Sequence, residues 1–537
     1  MSSAISYRRL RAPAEHGTAL IEPSHAAASD ILRDNHATSE LDAINFQGKS
    51  LGQLRCIARD ELVRSAAAYT RAYRDVGLPS GPAMLLLAGH QPELFHPGVW
   101  LKNFVLSSLA VECQAVAVNL LIDSHPVGKT EIVVPSGNAC EVRPVRISFD
   151  RDQAPIAYEQ RQCIDRDMFD HFGERVTRSI RPLIVEPLVE RHWPLASRAL
   201  TETNNLGQAI ARFRHQIEQR CGLTTLELPL SAVCDTVPFW WLASHLLRHA
   251  PRFTDSYNMA LAEYRLAHRT RSPSQPLPDL RVNHDWYESP FWIWSDSQPT
   301  RRPLFARQLV EEVELSDRLG FHHRLPLSLN GSAERAVENW SALRQRGWKL
   351  RPRALTTTLF ARLVLGDLFV HGIGGANYDQ VTDRLMELFW GIAPPGFLTV
   401  SATVMLPVKR TNVSPDALPR VQSQLRELCF HPENYLGDDK SRAAIEDVRE
   451  ATRWVKYKRD WVARELPRGS RRERHEAIQR ANVHLRTFVT QQREMLEAER
   501  AVLTAQWRND CVIASREYAF CLFPEDFLCR LLLDLCR

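Results

Sequence analysis

No run in this chain approaches the roughly 20 consecutive apolar residues that a membrane-spanning helix needs, and its start, MSSAISYRRLRAPAEHG, lacks the apolar stretch of a secretory signal. A cytoplasmic location with no membrane partner is the expectation. A dominant charge of one sign is also missing. The 68 basic and 63 acidic residues leave a formal net charge of +5, so any cationic surface is local and nucleic acid is not an expected partner. The eleven cysteines are scattered, with no CxxC pair and no zinc-ribbon spacing. A zinc ribbon is excluded, and buried reduced thiols are expected.

What is present is the balance of a folded globular protein: 44% hydrophobic and 24% charged residues over 537 positions. At roughly 100–200 residues per domain, that length suggests two to four domains. Residues 1 to 80 read as an irregular start and then a helix, with Leu51, Leu54, Ile57, Leu62 and Ala66 at helical spacing. The apolar run 83–88, the loop HQPELFHPG, the helix-like VWLKNFVLSSLAVEC and the apolar AVAVNLLID then give the order β-loop-α-β. Continuous apolar strands around a helix suit a buried parallel sheet, so the expected fold is α/β, a Rossmann-like doubly wound parallel sheet with insertions. LVLGDLFV, the loop HGIGGANYD, the helical QVTDRLMELFWG and FLTVSATVML repeat the pattern, and LELPLSAV is a further candidate strand.

Residues 265–305, rich in Pro and Trp, read as an irregular insertion. From about Pro419 the chain turns to long charged helices with two heptad-like seams. Ile445, Val448, Thr452, Val455 and Val462 make one seam; Ile478, Ala481, Leu485, Phe488, Met495 and Val502 make the other, joined by ELPRGSRRE. A C-terminal coiled-coil arm supporting a homodimer is expected. The segments are 1–140 and 141–340 (core with the Trp/Pro insertion), 341–417 (second part of the core) and 418–537 (helical arm and C-terminal segment).

Two loops carry the candidate chemistry. In open α/β sheets ligands bind beyond the carboxyl ends of strands, where helix N-termini expose unpaired N–H groups. The first loop offers Gly89, His90, Gln91 and His96, with Lys102 one turn into the next helix and Asp123 and His125 after the second strand. His90, His371 and Lys102 are the catalytic candidates. The second loop contributes Gly372, Gly374, Gly375, Asn377 and Asp379, with Asp379 equally suited to capping its helix. Arg351 and Arg353 are suited to bidentate anion binding or to structural ion pairs. Asp279, Glu288, Trp292 and Arg301 could form a substrate loop or simply pack under it. The His90/His96 pair is no metal site, because Pro92 lies between them and no thiolate or acidic partner is spaced nearby. Gly128-Lys129-Thr130 lacks the earlier glycine of a phosphate loop, Asp123 standing in its place.

Three segments carry a resemblance: GHQPELFHPGVWLKNF; LRPRALTTTLF with LFVHGIGGANYDQVTDRLMELF; and SREYAFCLFPEDFL. In that order they resemble the bacillithiol-biosynthesis cysteine-adding enzymes, over short islands covering about two-thirds of the chain. The resemblance implies a Rossmann-like core with connecting-peptide insertions, a coiled coil that supports a dimer, and a site for adenine nucleotide (ATP or ADP). The metal it implies is at most nucleotide-associated magnesium. It further implies ligase-type amide formation between cysteine and an amino-sugar malate conjugate, the small-molecule substrate. The sequence departs from that family at His90 and at DSHPVGKTEIVV. The His-Gln-Pro loop also resembles WbqC-like proteins, which implies sugar-nucleotide or acyl-transfer chemistry. A coiled-coil scaffold with a degenerate core is the non-enzymatic alternative.

Overall fold

The computed structural model describes residues 5, 10–37, 44–77, 83–138, 141–272, 274–436, 445–465 and 471–536. Cys140, the side chain of Ile445 and link residues 466–470 lie outside the described residues. The main sheet consists of β1 (Thr18–Glu22), β2 (Leu85–His90), β3 (Val116–Leu121), β4 (Leu226–Pro229), β5 (Leu368–His371) and β6 (Phe397–Thr403). Their spatial order is β1-β6-β5-β2-β3-β4. Neighbours run parallel, except that β1 pairs antiparallel with β6 at the edge.

Four helices matter most to the site: α1 (Leu51–Arg71), α2 (Pro97–Glu112), α3 (Leu206–Arg220) and α4 (Ile373–Trp390). Strand residues alternate between faces. Leu85, Leu87, Val116, Val118, Leu226 and Leu228 share one cluster with Leu54, Ala58 and Leu62 of α1. Asn119 and Glu227 turn the other way, where Arg214 of α3 bonds Glu227 and where Glu218 accepts from Trp100 and Asn103 of α2. Helices therefore cover both faces of the sheet, which is why its strands are mainly apolar and their polar residues, such as Asn119 and Glu227, are hydrogen-bonded.

The chain leaves β2 through α2 to β3 on one side and leaves β5 through α4 to β6 on the other. β2 and β5 are themselves neighbours, in register at Leu86↔Leu368, Leu87↔Phe369 and Ala88↔Val370. Two diverging crossovers from adjacent strands open a crevice between them.

Several elements differ from the sequence reading. The supposedly irregular start contains edge strand β1 and the helix His25–Ala37. Residues 265–305 are not irregular throughout: Trp286–Ser295 and Arg302–Gln308 belong to an antiparallel sheet with Glu312–Ser316, His322–Pro326 and Trp348–Pro352. Aromatic and β-branched residues favour strands, but a register shift between Glu288 and Trp292, around Pro290, breaks the alternation that would have shown it. In LVLGDLFV only the last three residues are strand, the start of Leu368–His371, because Ala361–Leu365 is a π-helical turn continuing the helix Ala354–Phe360. LELPLSAV is strand only to Pro229.

The chain forms two compact units, residues 1–134, 145–407 and 516–537 in one and residues 135–144 and 408–515 in the other. Within the second, Ile445–Ala463 pairs with Arg471–Thr487, and Thr490–Ile513 packs on Ala417–Phe430. The first expected seam is displaced: Ala451 and Lys458 are buried, while Thr452 and Val462 are exposed. In the second, Ala481 and Leu485 are buried, but the helix break at Phe488–Val489 ends the register, and Met495 and Val502 are exposed.

The expectation of reduced thiols fails at Cys221 and Cys529, which form a disulfide with Cα atoms 5.6 Å apart. The C-terminal helix Glu525–Asp534 docks beside α3 through Glu525, which pairs with Arg220 at 2.7 Å and His192 at 2.8 Å. One turn on, the same helix face brings Cys529 to Cys221.

Candidate functional site

A cavity of about 720 Å³ opens where β2 and β5 end. Both predicted loops line it, through Gly89, His90, Gln91, His96 and Lys102 on one side and His371, Gly372, Gly374, Gly375 and Asp379 on the other. The remaining wall includes Arg11, Thr357, Thr358, Tyr378, Arg516 and Glu517.

The first loop is fixed by its cap. His96 holds the N-cap position of α2, its Nδ1 accepting from the Gly98 N–H at 3.1 Å, and Pro97 follows at the first helical position. Gly98 is required by packing, since a Cβ there would lie 2.1 Å from the carbonyl oxygen of Ala402 on β6. With no side chain in the way, the first turn of α2 lies directly against the sheet.

Lys102 projects from α2 to the cavity, and its Nζ donates to the Gly89 carbonyl at 2.9 Å. It is only 3% exposed, and among the described residues no carboxylate pairs with it. Burial, aided by Arg214, pushes its pKa down to about 7. His90 packs edge-on to Phe95 with ring centroids 4.8 Å apart, and its Nδ1 lies 3.0 Å from the Gln91 carbonyl. A proton on Nδ1 makes that hydrogen bond and leaves Nε2 as an acceptor. Burial and the Lys102 charge lower the His90 pKa to about 3, so the ring is neutral at pH 7. Burial lowers the pKa of His96 as well.

On the other side, the expected glycine-rich loop is largely the start of α4, with Gly372 as N-cap. N–H groups in a first helical turn have no intrahelical acceptor, so those of Ile373, Gly374 and Gly375 are available at the cavity wall. A Cβ at Gly374 would meet no atom within 4 Å, whereas one at Gly375 would come 2.7 Å from His371 Nδ1. The missing side chain at Gly375 makes room for the imidazole. His371 is buried, and its Nε2 lies 2.7 Å from Asp379 Oδ2. Arg362 donates to the same oxygen at 2.7 Å and to Asp383 at 2.6 Å. Burial would raise the Asp379 pKa, but His371 and Arg362 outweigh it and hold the carboxyl well below its usual range. Asp379 thus does not cap α4; it anchors His371 from the second turn.

Other predicted residues are not brought to the cavity. Arg351, 2% exposed, donates to Glu159 at 3.0 and 2.8 Å and to Asp235 at 2.9 Å. Its donors are taken up by a structural ion cluster. Asp123 accepts from the Ser231 N–H at 2.9 Å and the Ser231 hydroxyl at 2.5 Å, and burial with Glu159 raises its pKa to about 7. Asp279 pairs with Arg265 at 2.8 Å, apart from the proposed substrate loop. Asn377 lies within α4 and outside the cavity lining. Trp292, Arg301, Arg353, Glu288 and His125 gather beyond the cavity lining, near the ends of β3 and the strand Trp348–Pro352.

The sequence reading missed Arg362, whose signal was its spacing before the acidic pair Asp379 and Asp383. It also missed the buried set His215, Glu218 and Glu227, whose ligand-type atoms lie within 4.8 Å of one another. The Arg214 guanidinium already bridges both carboxylates there, and Trp100, Asn103 and Asn119 supply further hydrogen bonds. This network joins α2 and α3 to the sheet, with the Arg214 charge already set against both carboxylates. Comparison with known proteins finds neither a matching family model nor a similar curated protein.

Proposed function

We propose that the chain is a ligase-like enzyme whose doubly wound, Rossmann-like core binds an adenine nucleotide, ATP or ADP, between the N-termini of α2 and α4. The observation that carries the reading is Lys102, a buried ammonium lining a cavity with no carboxylate partner among the described residues. An uncompensated buried charge is unfavourable by several kcal/mol, and an anionic ligand supplies the missing counter-charge. The free N–H groups at the start of α4 point the same way. In this reading Lys102 and the α4 N-terminus hold the anion. His371, oriented by Asp379, takes the proton from an amine as its nitrogen attacks an activated carboxyl; the C–N bond forms and the activating group leaves with its electron pair.

The test is calorimetry with ADP and ATP on the native chain and on Gly374→Asp. Because the space around Gly374 is open, the aspartate fits, and it is electrostatically favoured at a helix N-terminus. The native chain is expected to bind with a Kd in the micromolar to millimolar range, about what a few charge-assisted contacts provide. Gly374→Asp should melt like the native chain and bind at least tenfold more weakly. Binding of neither nucleotide, or equal binding to both proteins, overturns the reading.

A further inference from the structure

The buried Lys102 is not the only cation without a counter-charge. Arg301 and Arg353 both place their guanidinium groups over the Trp292 ring, 5.0 and 4.2 Å from its centroid. Their circumstances differ. Arg353 is neutralised, donating to Glu288 Oε1 at 2.5 Å, and Glu288 is also held by Arg281 at 2.8 Å. Arg301 is half-buried and donates to the Ser124 carbonyl at 3.2 Å, yet among the described residues no carboxylate pairs with it. Burial first, and the Arg353 charge second, push its pKa down to about 10, as for a cation taken out of water without a counter-charge.

An aromatic platform needs only one arginine to be well packed. A second guanidinium at the same ring, without a carboxylate partner, is unfavourable in the empty protein and gains its counter-charge when an oxyanion binds. The cluster also adjoins the cavity along the chain on both sides. Arg353 is the N-cap of the helix whose Ala354 and Leu355 line the cavity, and Ser124 lies two residues beyond the lining residue Ile122. His125, whose Nδ1 lies 3.0 Å from the Pro126 carbonyl, follows Ser124 in the chain and is close enough to Arg301 to feel its charge.

We propose that Arg301 and Arg353, stacked at Trp292, form an oxyanion clamp for a carboxylate or phosphate group on the far end of a substrate whose other end occupies the cavity. The substrate's placement rests on the reading of the cavity as a ligand site; the clamp itself does not. Its class is therefore an elongated small molecule carrying an oxyanion at some distance from its reacting group.

The experiment separates the two readings by using Gly374→Asp, in which the cavity anion site is filled, as the background. Inorganic phosphate and succinate are titrated into that protein and into Gly374→Asp/Arg301→Gln by calorimetry at constant ionic strength. Arg301→Gln leaves Arg353 its Glu288 partner, and unchanged circular dichroism and melting confirm the fold. Binding of either anion to the first protein, weakened at least tenfold in the second, supports the clamp; preference for phosphate or succinate identifies which oxyanion it takes. Arg301→Lys should recover only part of the affinity, since an ammonium cannot bind in a bidentate manner. Binding unaffected by Arg301→Gln, or no binding of either anion, overturns the clamp. ADP binding to the native chain in that case leaves the cavity reading intact.

Discussion

Replacing Lys102 by methionine should stabilise the protein while impairing its site, an outcome opposite to that of most core substitutions. The side chain lies 3% exposed with its pKa lowered to about 7, against about 10.4 in an unfolded chain. At pH 7 that difference disfavours the folded state by about 4 kcal/mol. The hydrogen bond to Gly89 returns about 1 kcal/mol, so Lys102→Met is expected to gain about 3 kcal/mol at pH 7. The sign with pH follows from the lowered folded pKa: between pH 7 and 10 the unfolded state binds more protons, so the native chain gains stability as pH rises. Below pH 7 the penalty is fully present. The advantage of the methionine variant should therefore shrink from pH 7 to pH 10, as read by scanning calorimetry at pH 7, 8.5 and 10. ADP affinity should fall 10- to 100-fold in the variant, about the worth of a charge-assisted hydrogen bond. In the native chain it should decline as pH rises above 7. A variant that melts lower than the native chain and binds ADP equally well would refute the argument and make Lys102 a packing residue.

Gly98→Ala should destabilise by at least about 3 kcal/mol, visible as a lower Tm, because its Cβ would sit 2.1 Å from a backbone oxygen of β6. Arg351→Met leaves the buried Glu159 without its ion-pair partner, while Asp235 keeps Arg344 at 2.9 Å, and should cost about 3–5 kcal/mol with ADP affinity unchanged; an affinity loss without a Tm loss would return Arg351 to the ligand site. Asp379 has a folded pKa held below its unfolded value, so its stabilising contribution is present at neutral pH and lost as pH falls through the folded pKa. Asp379→Asn should flatten that part of the acid limb in pH-dependent melting. Met495 and Val502 are 66% and 56% exposed, and if this helix forms the seam of a homodimer, Met495→Glu/Val502→Glu should convert dimer to monomer in sedimentation velocity. An unchanged sedimentation coefficient would remove that seam as the interface.

What the sequence determined by itself was local. Apolar runs such as LLLAGH and VAVNLL, glycines placed before and within helix starts, and the order strand, loop, helix, strand are written in neighbouring residues, and they located both loops that line the cavity. Even the need for Gly98 is invisible at that level, since the atom it makes room for belongs to Ala402, about 300 positions away. Partnerships across the chain were decided only by the tertiary structure. Arg351 and Lys102 are both buried cations beside candidate loops, and nothing local distinguishes them. Arg351 meets Glu159, 192 positions away, and becomes part of the scaffold; Lys102 meets no carboxylate among the described residues and becomes the site's unmet charge. The strand Trp286–Ser295 was hidden for a related reason, its alternation broken by a bulge that is defined only by the strand paired against it. Short-range patterning carries information about which backbone state each segment prefers. Whether a buried charge is satisfied depends on distant residues that folding alone brings within 3 Å.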